Sequence, residues 1–208
     1  MAANKKLALI YCLALGMEIF LLIFVVWHAG WSLAPYLAGN DTVEYIAIAK
    51  NLAINGEYSK SAIAPFTPNF FRLPGYTFWL TFIFLIFKSF IPAVFLGMAI
   101  FAVSAPLVYL ITREVFSEKL ALWSGIIFAL EPRMAFSAPF LLSEQIFLPL
   151  FLLAIFFVVK FINYPEQKKF VLLSASLLGL LALFKAIVLY LWPFTAVLFY
   201  FSFRKNFS

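Results

Sequence analysis

Residues 39–61, GNDTVEYIAIAKNLAINGEYSKS, and 65–76, PFTPNFFRLPGY, form a polar island in a chain that is otherwise apolar. Asp41, Glu44, Asn51 and Asn55 fall along one side of a helix at i, i+3 and i+4 type spacings, while Val43, Ala47 and Ile54 supply apolar surface. Gly56 is placed to stop that helix. Pro65-Phe66-Thr67-Pro68 and then Leu73-Pro74-Gly75 exclude regular structure and predict a folded loop, with Arg72 just before the second turn and beside Phe70, Phe71 and Tyr76. Asp-x-x-Glu at a helix start also fits a capping box, in which both carboxylates satisfy free backbone N–H groups. Capping and chemistry are compatible, because a capped helix holds its carboxylate rigidly.

Upstream of the island, Lys5 and Lys6 precede an apolar run from about Leu7 to Trp27. At about 20 residues it suits a ~30 Å hydrocarbon core and exceeds a signal-peptide core, so it reads as an uncleaved signal anchor. Further apolar stretches cover Pro92–Thr112, Leu120–Phe136, Ser143–Phe161, Phe170–Phe184 and Ala186–Phe203. With 65% hydrophobic and 12% charged residues, the chain is expected to be an all-α integral membrane protein of about six transmembrane helices. Residues 1–208 then make a single transmembrane domain: a first span at 7–29, an outer loop with juxtamembrane amphipathic helices at 30–91, and five further spans at 92–203.

Charge sets the orientation. Lys5, Lys6, Arg113, Lys119, Lys160, Lys168, Lys169, Arg204 and Lys205 are 9 of the 15 basic residues, and they fall on alternate connections. The positive-inside rule places these and the N-terminus in the cytoplasm, and the polar island outside. The net charge of +6 therefore belongs to membrane topology, and nucleic acid is not an expected partner. Tyr76–Phe87 is apolar, but about a dozen residues are too few to cross; Tyr76–Phe90 is placed in the membrane surface, which preserves the parity of the basic loops.

Other polar residues stand at membrane depth. Ser143-Glu144 fits a helix N-cap or a second carboxylate facing the same compartment as Asp41. Lys185, at an outer turn, can snorkel to water or bind a lipid phosphate. Glu131 and Arg133 fit a local pair. Glu18 falls near the middle of the first span, where an acidic group costs about 2.5–3.5 kcal/mol, so it is expected to face a protein interior, with a second subunit as one source of a partner. His28 reads as interfacial. The lone Cys12 excludes a disulfide within the chain. No His/Cys/Asp cluster has zinc spacing, and there is no phosphate-binding glycine loop.

Taken in order, D-x-x-x-Y (Asp41 to Tyr45), A-x-x-L-x-x-x-G-x-Y (Ala49 to Tyr58), R-x-P-G-Y (Arg72 to Tyr76), L-x-S-E (Leu141 to Glu144) and a later hairpin cation follow a signal anchor. This order resembles the N-terminal half of GT-C fold glycosyltransferases, in the branch containing protein O-mannosyltransferases and the lipid A aminoarabinose transferase. The resemblance implies a polyprenyl-phosphate sugar as donor, with membrane lipid around it. It implies Asp41 as general base on the acceptor, Arg72 and Lys185 as cations near the donor phosphate, and Glu144 as a second outer acidic residue organising the site. Glu44, Tyr45 and Tyr76, in the same motifs, are expected beside the substrate. Phe71 stands where some relatives carry an acidic metal-binding residue, so no divalent metal is expected. Relatives are usually longer, with further spans, so a second subunit supplying those spans is a further expectation. Two other classes compete with a transferase: a truncated, non-catalytic membrane subunit that binds lipid, and a small transporter or flippase. Polar groups gathered at one face, without internal repeats, favour the first two over the third.

Overall fold

The computed structural model describes residues 3–61, 63–191, 193, 196 and 197, apart from the side chain of Asn40. Every regular element among them is helical. Three rods are long and apolar enough to cross a membrane: α1 (Ala3–His28), the 25-residue unit made by α5 (Ile91–Phe101) and α6 (Ser104–Val115), and α9 (Glu144–Asn163). Pro106 has no N–H to offer Ala102, and the chain tightens there. Val103 N–H turns back to Ile100 at 3.1 Å and Ala105 N–H to Ala102 at 3.4 Å, separating α5 from α6.

The other helices are shorter. The short α2 (Ala34–Leu37) precedes the island, which contains α3 (Asn40–Asn55) and ends where α4 (Pro74–Phe87) begins. After α6 come α7 (Glu118–Ala129), α8 (Pro132–Ser137) and, beyond α9, α10 (Lys169–Leu181). At 1.5 Å per residue, α4, α7 and α10 reach only about 18–21 Å, less than a ~30 Å hydrocarbon core.

The stretch Leu120–Phe136, expected as one span, is not one continuous helix. Pro132 disfavours helical geometry in the residue before it, and Glu131 is extended (φ −70°, ψ 112°). The run therefore divides into α7 and α8. The Glu131 carboxylate caps α8 by accepting from Met134 N–H at 2.7 Å, and it makes no ion pair with Arg133. Of the expected span Ala186–Phe203, a 3-10 helix covers Ala186–Tyr190, while residues 192, 194–195 and 198–203 lie outside the described residues.

α3 packs on α4, α6 on α7 and α9, α1 on α7 and α8, and α10 on α9. Beneath the island the core is built from Tyr36, Tyr45, Ala49, Tyr76, Leu80, Val94 and Leu141. Gly97 lets α5 close on α9: a Cβ there would lie 2.3 Å from the Gln145 amide. Glu18 turns into this chain's own bundle, 2% exposed, against a cavity of about 10 Å³ shared with Ala14, Ala102, Ala105, Ala129 and Ala135. It is thus not presented outward to a second chain.

Charged clusters sit at opposite ends of α9, about 30 Å apart by its 20 residues. At the C-terminal end, Lys6 pairs with Glu118, which also accepts from Tyr109, and Lys160 pairs with Glu114 at 2.8 Å. At the N-terminal end stands Glu144.

Candidate functional site

The site is assembled from backbone outward. α3 starts after Gly39 with no side-chain cap, so the capping-box reading of Asp41 and Glu44 does not hold. Both carboxylates instead project from the first turns of α3 to one guanidinium. Gly56, at φ +74°, ends the helix and returns its N–H to Leu52 C=O at 3.2 Å. The chain then runs back beside α3, where Asn51 donates to the carbonyls of Ser59 (2.6 Å) and Ser61 (2.7 Å).

Three contacts hold the backbone at Arg72. Tyr58 hydroxyl donates to Arg72 C=O at 2.8 Å and lies 3.2 Å from Thr77 Oγ1. Asn69 Oδ1 accepts from Arg72 N–H at 3.0 Å and from Phe71 N–H at 3.1 Å. Asn69 N–H in turn donates to Tyr58 C=O at 2.9 Å. Thus Gly56 and Tyr58 of the A-x-x-L-x-x-x-G-x-Y run do structural work: they aim a cation.

That cation is shared. Arg72 Nη2 donates to Asp41 Oδ1 at 2.6 Å and Nε to Glu44 Oε2 at 2.8 Å, and the guanidinium lies 5.0 Å from the centre of the Tyr45 ring. Glu44 Oε1 also accepts from Lys60 at 2.8 Å. The hydrogen bonds from Lys60 and then Arg72 hold the Glu44 carboxyl below its usual range despite some burial. Burial works against the charge of Arg72, but the bonds to Asp41 and Glu44 outweigh it and raise its proton affinity.

The opposite wall depends on Gly75. Its N–H donates to Leu183 C=O at 2.8 Å, and a Cβ would lie 2.7 Å from the Phe184 ring and 2.9 Å from the Leu183 oxygen. This close approach draws the turn after α10 against the start of α4 and carries Lys185 with it. Lys185 donates to Glu144 Oε1 at 2.5 Å and lies 5.5 Å from the centre of the Phe147 ring.

Between the walls is a cavity of about 720 Å³. Of the seven residues singled out in the sequence, Asp41, Tyr45, Arg72, Glu144 and Lys185 line it. Glu44 is not among the lining residues; it holds Arg72 from behind. Tyr76 is fully buried, packs edge-on to Tyr45 at 5.0 Å and donates to Gln145 Oε1 at 2.6 Å, so it supports the wall without reaching the cavity. Gln145 completes the link by donating to Ala138 C=O at 2.7 Å. Sequence reasoning did not pick out Lys60, Gln145, Phe147 or Phe184. Only Phe147 carried a signal, three residues after Glu144 and hence on the same helix face. Among the described residues no group of three or more His, Cys, Asp or Glu is placed to hold a metal.

Among the described residues these features define an all-helical protein with three membrane-length apolar helices and a charge-lined cavity at one end of its bundle. Comparison with family profiles, curated proteins and solved structures yields no match to this chain.

Proposed function

We propose that this cavity belongs to a membrane glycosyltransferase, which moves a sugar from a polyprenyl-phosphate donor to an acceptor hydroxyl on the extracytoplasmic face. The observation that carries the reading is the convergence of two cation–carboxylate pairs, Arg72–Asp41 and Lys185–Glu144, on one cavity beside membrane-length apolar helices. A lipid-linked donor delivers its sugar at the membrane surface, where such a cavity needs no nucleotide-binding loop. The acceptor oxygen attacks the anomeric carbon while the bond from that carbon to the phosphate oxygen breaks. The electron pair leaves on the polyprenyl phosphate, and Asp41 takes the acceptor proton. Arg72 and Lys185 stabilise the negative charge developing on the leaving phosphate.

In this reading the chain has the GT-C topology of about six crossings. The N-terminus is cytoplasmic, α4 lies in the membrane surface and the cavity opens outside. The basic residues on alternate connections support that orientation. The test is sugar release from radiolabelled polyprenyl-phosphate sugars by purified protein in lipid, wild type against Asp41→Asn. Turnover lost in the variant, with folding and donor binding retained, is the expected result. Donor binding that depends on Lys185, without turnover by either protein, would instead identify a lipid-binding subunit of a larger enzyme. Absence of both turnover and binding would refute the reading.

A further inference from the structure

Neither cation of the cavity wall is free. Arg72 holds Asp41 and Glu44, Lys185 holds Glu144, and Lys60 supports Glu44. Three carboxylates thus balance three cations, and an arriving phosphate meets a neutralised site. The two carboxylates on Arg72 are not equivalent. Glu44 keeps a second cation, Lys60, and its side chain is 30% exposed. Asp41 is 55% exposed and, among the described residues, has Arg72 as its only ion-pair partner. The Nε edge of the guanidinium is therefore anchored on Glu44, while the Nη2 bond to Asp41 is the exchangeable one.

From this asymmetry we infer that Arg72 is a latch coupling donor occupancy to the general base: phosphate binding on the guanidinium releases the Asp41 carboxylate into the cavity. The inference rests on the transferase reading above and specifies the regulation of that same site. While Arg72 Nη2 donates to Asp41 Oδ1, that oxygen is occupied and turned away from an acceptor hydroxyl. A phosphate oxygen on the terminal guanidinium nitrogens places a like charge against Asp41. Two anions sharing Nη2 repel, and the Asp41 carboxylate, the more exposed of the two on Arg72, swings into the cavity. Its oxygen is then open to take the acceptor proton only once the leaving group is in place. The reaction then has an order: donor first, acceptor second.

Carbodiimides modify carboxyl groups that are accessible and free of an ion-pair partner, and give a direct readout of release. The full chain in phosphatidylcholine nanodiscs is treated with dicyclohexylcarbodiimide, with and without geranyl phosphate, and adduct at Asp41 is quantified by peptide mass spectrometry as a ratio to adduct at the exposed Glu57, which cancels reagent consumed by the phosphate. Binding of radiolabelled geranyl phosphate is measured on the same sample, and geraniol serves as the uncharged control. Saturating geranyl phosphate is expected to raise Asp41 labelling about two- to fivefold, the range a half-exposed ion pair supports, while geraniol leaves it unchanged. Arg72→Lys, whose single ammonium lacks the two-edged fork, is expected to raise basal labelling and flatten the response. Geranyl phosphate that binds but lowers or does not change Asp41 labelling in the wild-type chain overturns the latch and leaves the donor site standing. Failure of geranyl phosphate to bind at all removes the donor site and the latch together.

Discussion

Replacing Gly75 by alanine tests whether the close approach of α4 to the turn after α10 builds the cavity. A Cβ at this position would sit 2.7 Å from Phe184 and 2.9 Å from the Leu183 carbonyl oxygen, where ordinary contact begins near 3.4 Å. Ring and carbonyl together must retreat by half an ångström or more. The carbonyl cannot retreat alone, because it accepts the Gly75 N–H at 2.8 Å. Overpacking of this kind costs about 1–3 kcal/mol. Weakening the Gly75–Leu183 hydrogen bond adds about 0.5–1.5 kcal/mol. Because Lys185 follows two residues after Leu183, the displacement also draws its ammonium from the wall. Gly75→Ala is therefore expected to lower the thermal midpoint in detergent or nanodiscs and to weaken prenyl-phosphate binding severalfold. Gly179→Ala is the matched control: it lies in α10 with nothing within 4 Å of a new Cβ, and should be neutral or slightly stabilising. Equal midpoints and equal affinities for the two alanine variants would refute the assignment of the site's geometry to this contact.

Three further outcomes follow from the same geometry. Glu44→Gln should remove a pH-dependent part of stability: the carboxyl lies below its ordinary 4.5 in the folded chain, so its contribution is present above that value and lost as pH falls through the depressed one. The stability difference between wild type and variant, followed by acid titration of the unfolding midpoint, should be constant near neutrality and shrink below about pH 4.5. Tyr58→Phe deletes the donor to Arg72 C=O and should cost about 0.5–1.5 kcal/mol by thermal or denaturant unfolding, with prenyl-phosphate affinity falling as Arg72 loosens. Gly97→Ala should destabilise strongly with Gln145 present, whose amide would lie 2.3 Å away, and far less in a Gln145→Ala background. A double-mutant cycle with no coupling would show that the two residues do not share that space.

The apolar runs of the sequence, the stop at Gly56 and the charged ends of the helices were legible because each rests on local chemistry: hydrophobic length, backbone freedom and charge near a helix terminus. So were Asp41, Arg72, Glu144 and Lys185 as polar groups where the chain otherwise avoids them. Proline at position 132 carried its signal too, and the expected span from Leu120 divided at the residue it restricts. What the sequence could not state was partnership. Asp-x-x-Glu describes a capping box and a guanidinium clamp equally well, since both need the same spacing. The choice fell to Arg72, 28 residues beyond Glu44, once Tyr58 and Asn69 had fixed its backbone. Likewise Gly75 and Lys185 meet only because the turn after α10 packs on the start of α4, and Tyr76 lies below the cavity because Gln145 claims its hydroxyl. Helix, span and island are properties of neighbouring residues. The cavity is a property of contacts between residues far apart in the chain, which only the packing of the helices brings together.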